Sequence, residues 1–254
     1  MRLIDSHCHL TDEAFDDDRL FILNDLSNFG LRGIINPATN LTDSKMAIEL
    51  AEKYDNFYAM VGIHPEEVDE ITENDLEELE NLAQNEKVIA IGEIGLDYYW
   101  KDDNKDHQKE IFIHQLELAR KLKKPAVIHV RDSKDDVIEI LKDYQDLKIQ
   151  IHCFSDDLET LEKYLEMGFF ISIGGVVTFN NGTNEQNAAR NVPIERLMLE
   201  TDSPYLTPEP YRGLRNDPRR VIEVARTVAD LRDMKIDKLA KKTYNNTKEF
   251  FNLW

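Results

Sequence analysis

His7 and His9 stand one residue apart in the run Ile4-Asp5-Ser6-His7-Cys8-His9 near the start of the chain. In an extended segment alternate side chains share a face, so both imidazoles can reach one point in space. That is a metal-binding arrangement, although the same spacing occurs in ordinary strands whose rings bond backbone carbonyls. The pair gains weight from its company. Other ligand-type residues close or follow other short apolar runs: Glu93 after 88–92, His129 ending 126–129, His152 ending 149–152, and Asp202 just beyond 198–200.

Four neutral imidazoles and two carboxylates exceed the needs of one tetrahedral zinc and suit two divalent ions that share a bridging carboxylate and a bridging water. Two such ions outweigh the negative charge of Glu93, Asp202 and a bridging hydroxide, and the remaining positive charge draws an anionic substrate. Coordination lowers the pKa of bound water from about 15.7 to about 7, and paired ions can stabilise the attacking and leaving oxygens of an in-line displacement. Asp202 is the candidate to orient that water and take its proton. Glu200, two residues earlier on the same strand face, is a candidate partner for a ligand. Zinc, manganese, cobalt, nickel and iron all accept these donors, and magnesium works with exchangeable sites.

Such residues need elements to position them. Short runs rich in Ile and Val alternate with longer amphipathic runs from end to end, the pattern of repeated βα units around a parallel sheet. The spacing predicts strands at 2–5, 33–36, 57–62, 88–92, 126–129, 149–152, 169–173 and 198–200. Eight strands imply an α/β fold, a (β/α)8 TIM barrel forming one domain over 1–254, with the metal site at the C-terminal ends of the strands. Apolar stripes at helical spacing include Ile111, Phe112, Leu116 and Ala119, and Val221, Val224 and Val228. Thr72 with Asp75, and Ser155 ahead of Asp156 and Asp157, read as helix starts.

A hydrophobic share of 41% in 254 residues is enough for a substantial core. The chain runs straight into a strand, and no apolar run reaches membrane-spanning length, so a soluble, cytoplasmic protein with no membrane contact is expected. Cys8 and Cys153 give no bridge framework and are expected as small buried residues, turned to the face opposite their neighbouring ligands. A net charge of −19 argues against a broad nucleic-acid surface, since such affinity comes largely from phosphate neutralisation. Much of the excess lies in the block 66–80, which has no basic residue and reads as a solvated helix face.

The one compact basic stretch, 211–220, could hold a small anionic group, and Arg212, Arg215 and Asn216 are assigned there as substrate contacts. Arg131, two residues beyond His129, carries a fork suited to phosphate, with a structural salt bridge as its rival reading. His64, followed by Pro65, is assigned to substrate contact, with a further metal ligand or a loop carbonyl partner as alternatives. His107 and His114 lie in a helical stretch and read as solvated or capping groups. Asp5 shares the face of His7 but lies deeper, as a packing carboxylate. Gly174-Gly175 reads as close packing or a turn.

The blocks His7-x-His9, Val61-Gly62-Ile63-His64-Pro65, Ile91-Gly92-Glu93-Ile94-Gly95-Leu96-Asp97-Tyr98, Ile128-His129-x-Arg131-Asp132, His152-Cys153-Phe154-Ser155 and Glu200-Thr201-Asp202-Ser203-Pro204-Tyr205-Leu206 resemble, in order and spacing, the TatD family of metal-dependent hydrolases. The resemblance spans essentially the whole chain. It implies an amidohydrolase-like TIM barrel and a metal-dependent deoxyribonuclease of the 3′ to 5′ exonuclease type, acting on single-stranded DNA or 3′ ends, with no obligate protein partner. It further implies that His7, His9, Glu93 and Asp202 hold one ion, that Glu93, His129 and His152 hold the other, and that Asp202 and Glu93 serve catalysis. Where family members commonly carry Gly, Lys and Lys, this chain has Asp156, Asn180 and Leu214. None is a ligand, and the two lost cations weaken expected phosphate contacts near the mouth.

A second enzyme reading is a dinuclear hydrolase of a small amide, lactone or phosphoester. Many related barrels bridge their metals with a carbamylated lysine at the end of strand four, where this chain has Glu93 and its nearest lysine is Lys101. A mononuclear deaminase has little use for a bridging Glu93. The non-enzymatic alternative is a barrel whose ions are structural.

Overall fold

The computed structural model describes residues 1–253 as strands alternating with helices. The strands are β1 (Leu3–Asp5), β2 (Leu31–Asn36), β3 (Phe57–Val61), β4 (Val88–Asp97), β5 (Ala126–Arg131), β6 (Ile149–Ile151), β7 (Phe170–Ile173) and β8 (Leu197–Leu199). Between and after them run α1 (Arg19–Asp25), α2 (Leu41–Lys53), α3 (Glu73–Ala83), α4 (Lys105–Leu122), α5 (Lys134–Leu141), α6 (Leu158–Glu166), α7 (Thr183–Asn191), α8 (Val221–Leu231) and α9 (Ile236–Phe250). The sheet order is β1 to β8 in chain order, and every neighbouring pair is parallel. Just beyond the paired segments the last strand meets the first: Ser6 donates its amide to the Leu199 carbonyl at 3.0 Å, and Cys8 bridges Ser203. The expected (β/α)8 barrel is the fold that forms. Among the described residues no helix is long and apolar enough to cross a membrane.

Parallel strands covered on both faces are apolar on both, and alternation sorts the two sets. Ile34, Ile91, Ile128, Ile151 and Ile171 pack with helix residues such as Phe112, Leu116, Val224 and Val228. Ile4, Ile35, Met60, Ala90, Val127 and Met198 form a second cluster with Phe250, Phe251 and Leu253 at the end of α9. The C-terminal helix therefore stoppers one end of the barrel with hydrocarbon. Polar residues gather towards the other end: two positions beyond Val127 comes His129, and two beyond Met198 comes Glu200.

Seven strands lie within two residues of their expected bounds, and β4 departs from them. It continues to Asp97, and its register against β5 slips between Ile91 and Ile94, so Glu93 sits inside an irregular strand rather than after it. A bulge of this kind re-aims a side chain, here towards the barrel mouth. The extension brings Gly95 beside His129, where φ is +148° and an added Cβ would lie 2.0 Å from the His129 carbonyl oxygen. Gly175, in the expected close-packing pair, likewise leaves room for the Leu206 carbonyl, 2.0 Å from its built Cβ. Thr72 and Asp75 form the expected reciprocal cap of α3. α6 starts three residues past Ser155, capped by Asp157, whose carboxylate accepts the Thr160 amide at 2.8 Å.

Candidate metal centre

The irregular segment after β1 carries His7 and His9. Its backbone is threaded between the ends of β2 and β8: the Cys8 amide donates to the Ile35 carbonyl at 3.0 Å and the His9 amide to the Ser203 carbonyl at 2.8 Å. Both Nε2 atoms turn to one oxygen of Glu93, Oε2, at 3.2 Å from His7 and 3.4 Å from His9. Asp202 completes this side, its Oδ1 lying 3.5 Å from His9 Nε2 and 3.8 Å from His7 Nε2. Its backbone adopts the left-handed region, φ +54°, and its amide donates to the His7 carbonyl at 3.0 Å, which ties the end of β8 to the histidine segment.

The other oxygen of Glu93, Oε1, faces a different set. His152 Nε2 lies at 2.5 Å, His129 Nδ1 at 2.8 Å and His64 Nε2 at 3.6 Å. His129 Nδ1 and His152 Nε2 are only 3.3 Å apart. Groups of donors with all ligand atoms within 4.8 Å of one another comprise His7, Glu93 and His152; His7, His9 and Asp202; and His64, Glu93 and His129. Of the six residues expected to hold metal, His7, His9, His129 and His152 converge on Glu93, together with His64, and Asp202 joins them beside His7 and His9. Nitrogen and oxygen donors gathered around a common point, with no thiolate among them, fit a divalent cation of borderline or hard character. One ring nitrogen of His7, Nδ1, is buried with no hydrogen-bond partner, so the hydrogen bonding of that ring is confined to the Nε2 edge facing the cluster.

Electrostatics point the same way. Burial opposes ionisation of Glu93, yet the charges of His152, His7 and His64 and the bond from His129 hold its pKa well below the ordinary value. Burial likewise opposes charge on His9, but Asp202 and Glu93 carry its pKa up to about 10. His129 and His152 are raised by their carboxylate neighbours against burial, and Asp202 is lowered by His9 and His7 against burial. Without a cation, protonation of His9, His129 and His152 is favoured beside Glu93 and Asp202, whereas burial and the charge of His152 lower the pKa of His7.

Supporting groups orient the rings. Asp97 accepts His129 Nε2 at 3.0 Å, leaving Nδ1 to face Glu93. Glu200 lies 3.6 Å from His152 Nδ1 through Oε1, which also accepts the Cys153 amide at 2.6 Å; its Oε2 accepts the Ser172 hydroxyl at 2.5 Å. Asp5, wholly buried, accepts the Thr201 hydroxyl and amide at 2.5 and 2.9 Å and so braces the β8 end beneath Asp202. With β4 ending at Gly92, as the apolar run 88–92 suggests, Asp97 does not stand out in the sequence as a working residue. Once the strand is extended, Glu93, Gly95 and Asp97 alternate onto one face, and that spacing was the available signal.

A cavity of about 1460 Å³ opens over this cluster, lined by His9, His64, Glu93, His129, His152 and Asp202 and, further out, by Arg131, Trp100 and Tyr205. His64 and Arg131 are thus at the cavity, and among the described residues Arg131 has no carboxylate partner; it stacks on Tyr99 instead. The basic stretch lies elsewhere. Arg215 forms a two-pronged pair with Asp18 at 2.9 and 2.6 Å, and Arg212 stacks on Phe179 at 3.7 Å. Asn216 is wholly buried, its amide donating to the Thr201 and Tyr205 carbonyls at 2.9 and 2.6 Å. Asn216 thus braces the segment that carries Asp202, Arg215 and Arg212 are held by Asp18 and Phe179, and none of the three lines the cavity.

Two further readings change. Cys8 is buried as expected, but Cys153 lines the cavity, because a φ of +44° breaks the alternation that would have turned it away from His152. The acidic block is more than a solvated face, since Glu66, Glu67, Glu70 and Asp75 form part of the cavity wall. His107 bonds the Val68 carbonyl at 2.9 Å, a local structural role.

A family model described as TatD related DNase matches residues 4–252. An uncharacterized metal-dependent hydrolase of Bacillus subtilis is 38% identical over 253 residues, covering 99% of each chain. One from Escherichia coli K12 is 38% identical over 258 residues, covering 100% of this chain and 97% of its own. The solved structure of a TatD homologue from Escherichia coli K12 superposes with a TM-score of 0.94 at 30% identity, covering 100% of this chain and 99% of that one.

Proposed function

The chain belongs to the TatD family of metal-dependent hydrolases, and we propose that it is a deoxyribonuclease that removes nucleotides from single-stranded 3′ ends of DNA, using two divalent cations. The observation that carries this reading is the division of Glu93, one oxygen towards His7 and His9 and the other towards His129 and His152. On it, His7, His9, Glu93 and Asp202 would hold one ion, and Glu93, His129 and His152 the other. When present, paired divalent cations acidify water to a pKa of about 7 and offset charge on the attacking and leaving oxygens of an in-line displacement.

The protein's own groups do the rest. Asp202 is kept ionised by His9 and His7 and is fixed through its amide, so its carboxylate can orient the attacking water and accept its proton. His64 and Arg131, at the cavity wall, are suited to the non-bridging oxygens of the scissile phosphate. Asp97 fixes the His129 ring through a hydrogen bond, and the Glu200 carboxylate lies beside His152 as a nearby negative charge, so that the donor set is supported before substrate arrives.

The acidic wall of Glu66, Glu67, Glu70 and Asp75 opposes a long polyanion and supports the second reading, hydrolysis of a small phosphoester or lactone. A digest of end-labelled single- and double-stranded DNA and RNA, using metal-stripped enzyme restored with one ion at a time, separates the two. Stepwise shortening of single-stranded DNA from its 3′ end is the expected pattern. Hydrolysis of small esters with no nucleic acid cleaved under any ion would support the second reading instead.

A further inference from the structure

The loop after β4 holds two aromatic rings in water beside the cavity. Tyr99 is 56% exposed and Trp100 60%, and the rings meet edge to face with centroids 4.8 Å apart. Trp100 lines the same cavity as His129 and Asp202. Large rings left this open contribute little to a core, and exposed aromatic surface at a cavity marks a binding surface.

The loop is held firmly and by an informative partner. The Tyr99 and Trp100 amides donate to Asp97 Oδ1 at 2.9 and 3.1 Å, while Asp97 Oδ2 takes His129 Nε2 at 3.0 Å. One carboxylate therefore sets both the aromatic pair and a ring of the metal cluster. Arg131 lies over the pair, its Cζ 4.0 Å from the Tyr99 centroid and 5.3 Å from that of Trp100. The acidic residues Glu66 and Glu67 also contribute to the wall. The cavity is thus lined by both a cationic, aromatic group and an anionic one.

Resting on the phosphodiesterase reading, we infer that Trp100 and Tyr99 form a nucleobase-stacking platform that takes an unpaired base of the substrate strand next to the reaction centre, with the Arg131 guanidinium on a neighbouring phosphate. Every base has a π face, so stacking of this kind tolerates sequence, and it excludes bases still stacked within a duplex. A guanidinium lying over an aromatic ring keeps its in-plane donors for phosphate. The acidic residues turn the rest of the backbone away, which leaves room for an end rather than for a long internal segment. The platform is a specificity device: it selects single-stranded ends by what they can unstack.

The test compares two short fluorescein-labelled strands of equal length and charge, an oligothymidylate and one whose 3′-terminal nucleotides lack bases, by anisotropy with metal-stripped protein, which leaves both strands uncut. With Trp100 in place the base-bearing strand is expected to bind about tenfold more tightly. Trp100→Ala brings that ratio towards one, and Trp100→Phe restores most of it, which also shows that the loop folds. Equal binding of both strands with Trp100 present, or a ratio unmoved by Trp100→Ala, overturns the platform. Cleavage of the same strands by the unsubstituted enzyme is scored separately, so failure to cleave either one removes the phosphodiesterase reading while the binding ratio alone decides the platform.

Discussion

Asp97 Oδ2 lies 3.0 Å from His129 Nε2, on the edge of the ring away from Glu93, so this carboxylate decides which imidazole nitrogen faces the cluster. Asp97→Asn keeps a carbonyl oxygen for the Tyr99 and Trp100 amides but weakens the charge-assisted bond that fixes the ring. Metal affinity or turnover is expected to fall about 10- to 100-fold with the fold retained. Metal titration and steady-state kinetics on the same preparation check this, and unchanged values in both would remove Asp97 from the site.

Asp202 tests the proton-transfer step. Asp202→Ala is expected to lower kcat by about 10²- to 10⁴-fold. Far-ultraviolet circular dichroism should remain that of the parent, because the buried bracing of the β8 end runs through Asp5 and Thr201 rather than through the Asp202 side chain. Near-normal turnover would assign the proton to another group.

Gly95 tests how closely β4 must approach β5. A methyl group there would lie 2.0 Å from the His129 carbonyl, at a φ of +148° that side chains rarely adopt. Gly95→Ala is expected to destabilise the protein by about 3 kcal/mol and to reduce bound metal, because the residue that must yield is His129, one of the proposed ligands. Urea unfolding with metal analysis provides the check.

Loading should displace protons. In the metal-free protein Asp202 and Glu93 push the pKa of His9 up to about 10 against burial, and carboxylate neighbours raise those of His129 and His152, so protons held on these rings must be lost for them to become ligands. Apparent affinity therefore rises as pH rises towards 10 and falls in acid. Calorimetry at pH 7 in buffers of different ionisation enthalpy is expected to show net proton release; binding heats independent of buffer would contradict it.

Charge sets the salt response. Single-strand binding loses about 0.7 of a log unit per log unit of salt for each phosphate neutralised. Among the described residues Arg131 is the one arginine lining the cavity, so a slope of about −0.7 is expected. A steep slope would reveal a basic groove elsewhere.

The fold was legible because it rests on repetition. Runs of Ile and Val such as 126–128 and 149–151 declare buried parallel strands, and their regular alternation with amphipathic helices declares the barrel. The candidate cluster was legible because His129 and His152 sit where a strand reaches the open end. What stayed hidden depends on departures from regularity. The slipped register at Glu93 carries β4 on to Asp97, and the left-handed backbone at Cys153 turns a thiol to the cavity that alternation would have buried. For Arg215 and Asn216, composition marks a basic cluster without showing its partners, here Asp18 and the carbonyls of Thr201 and Tyr205.

Metal content and hydrolysis measured together on one preparation test the centre most directly. Chelated protein should contain no metal and leave end-labelled single-stranded DNA intact, and titration with a single divalent ion should restore cleavage as occupancy approaches two ions per chain. Cleavage by the stripped protein as fast as by the untreated one would contradict a metal centre built on Glu93.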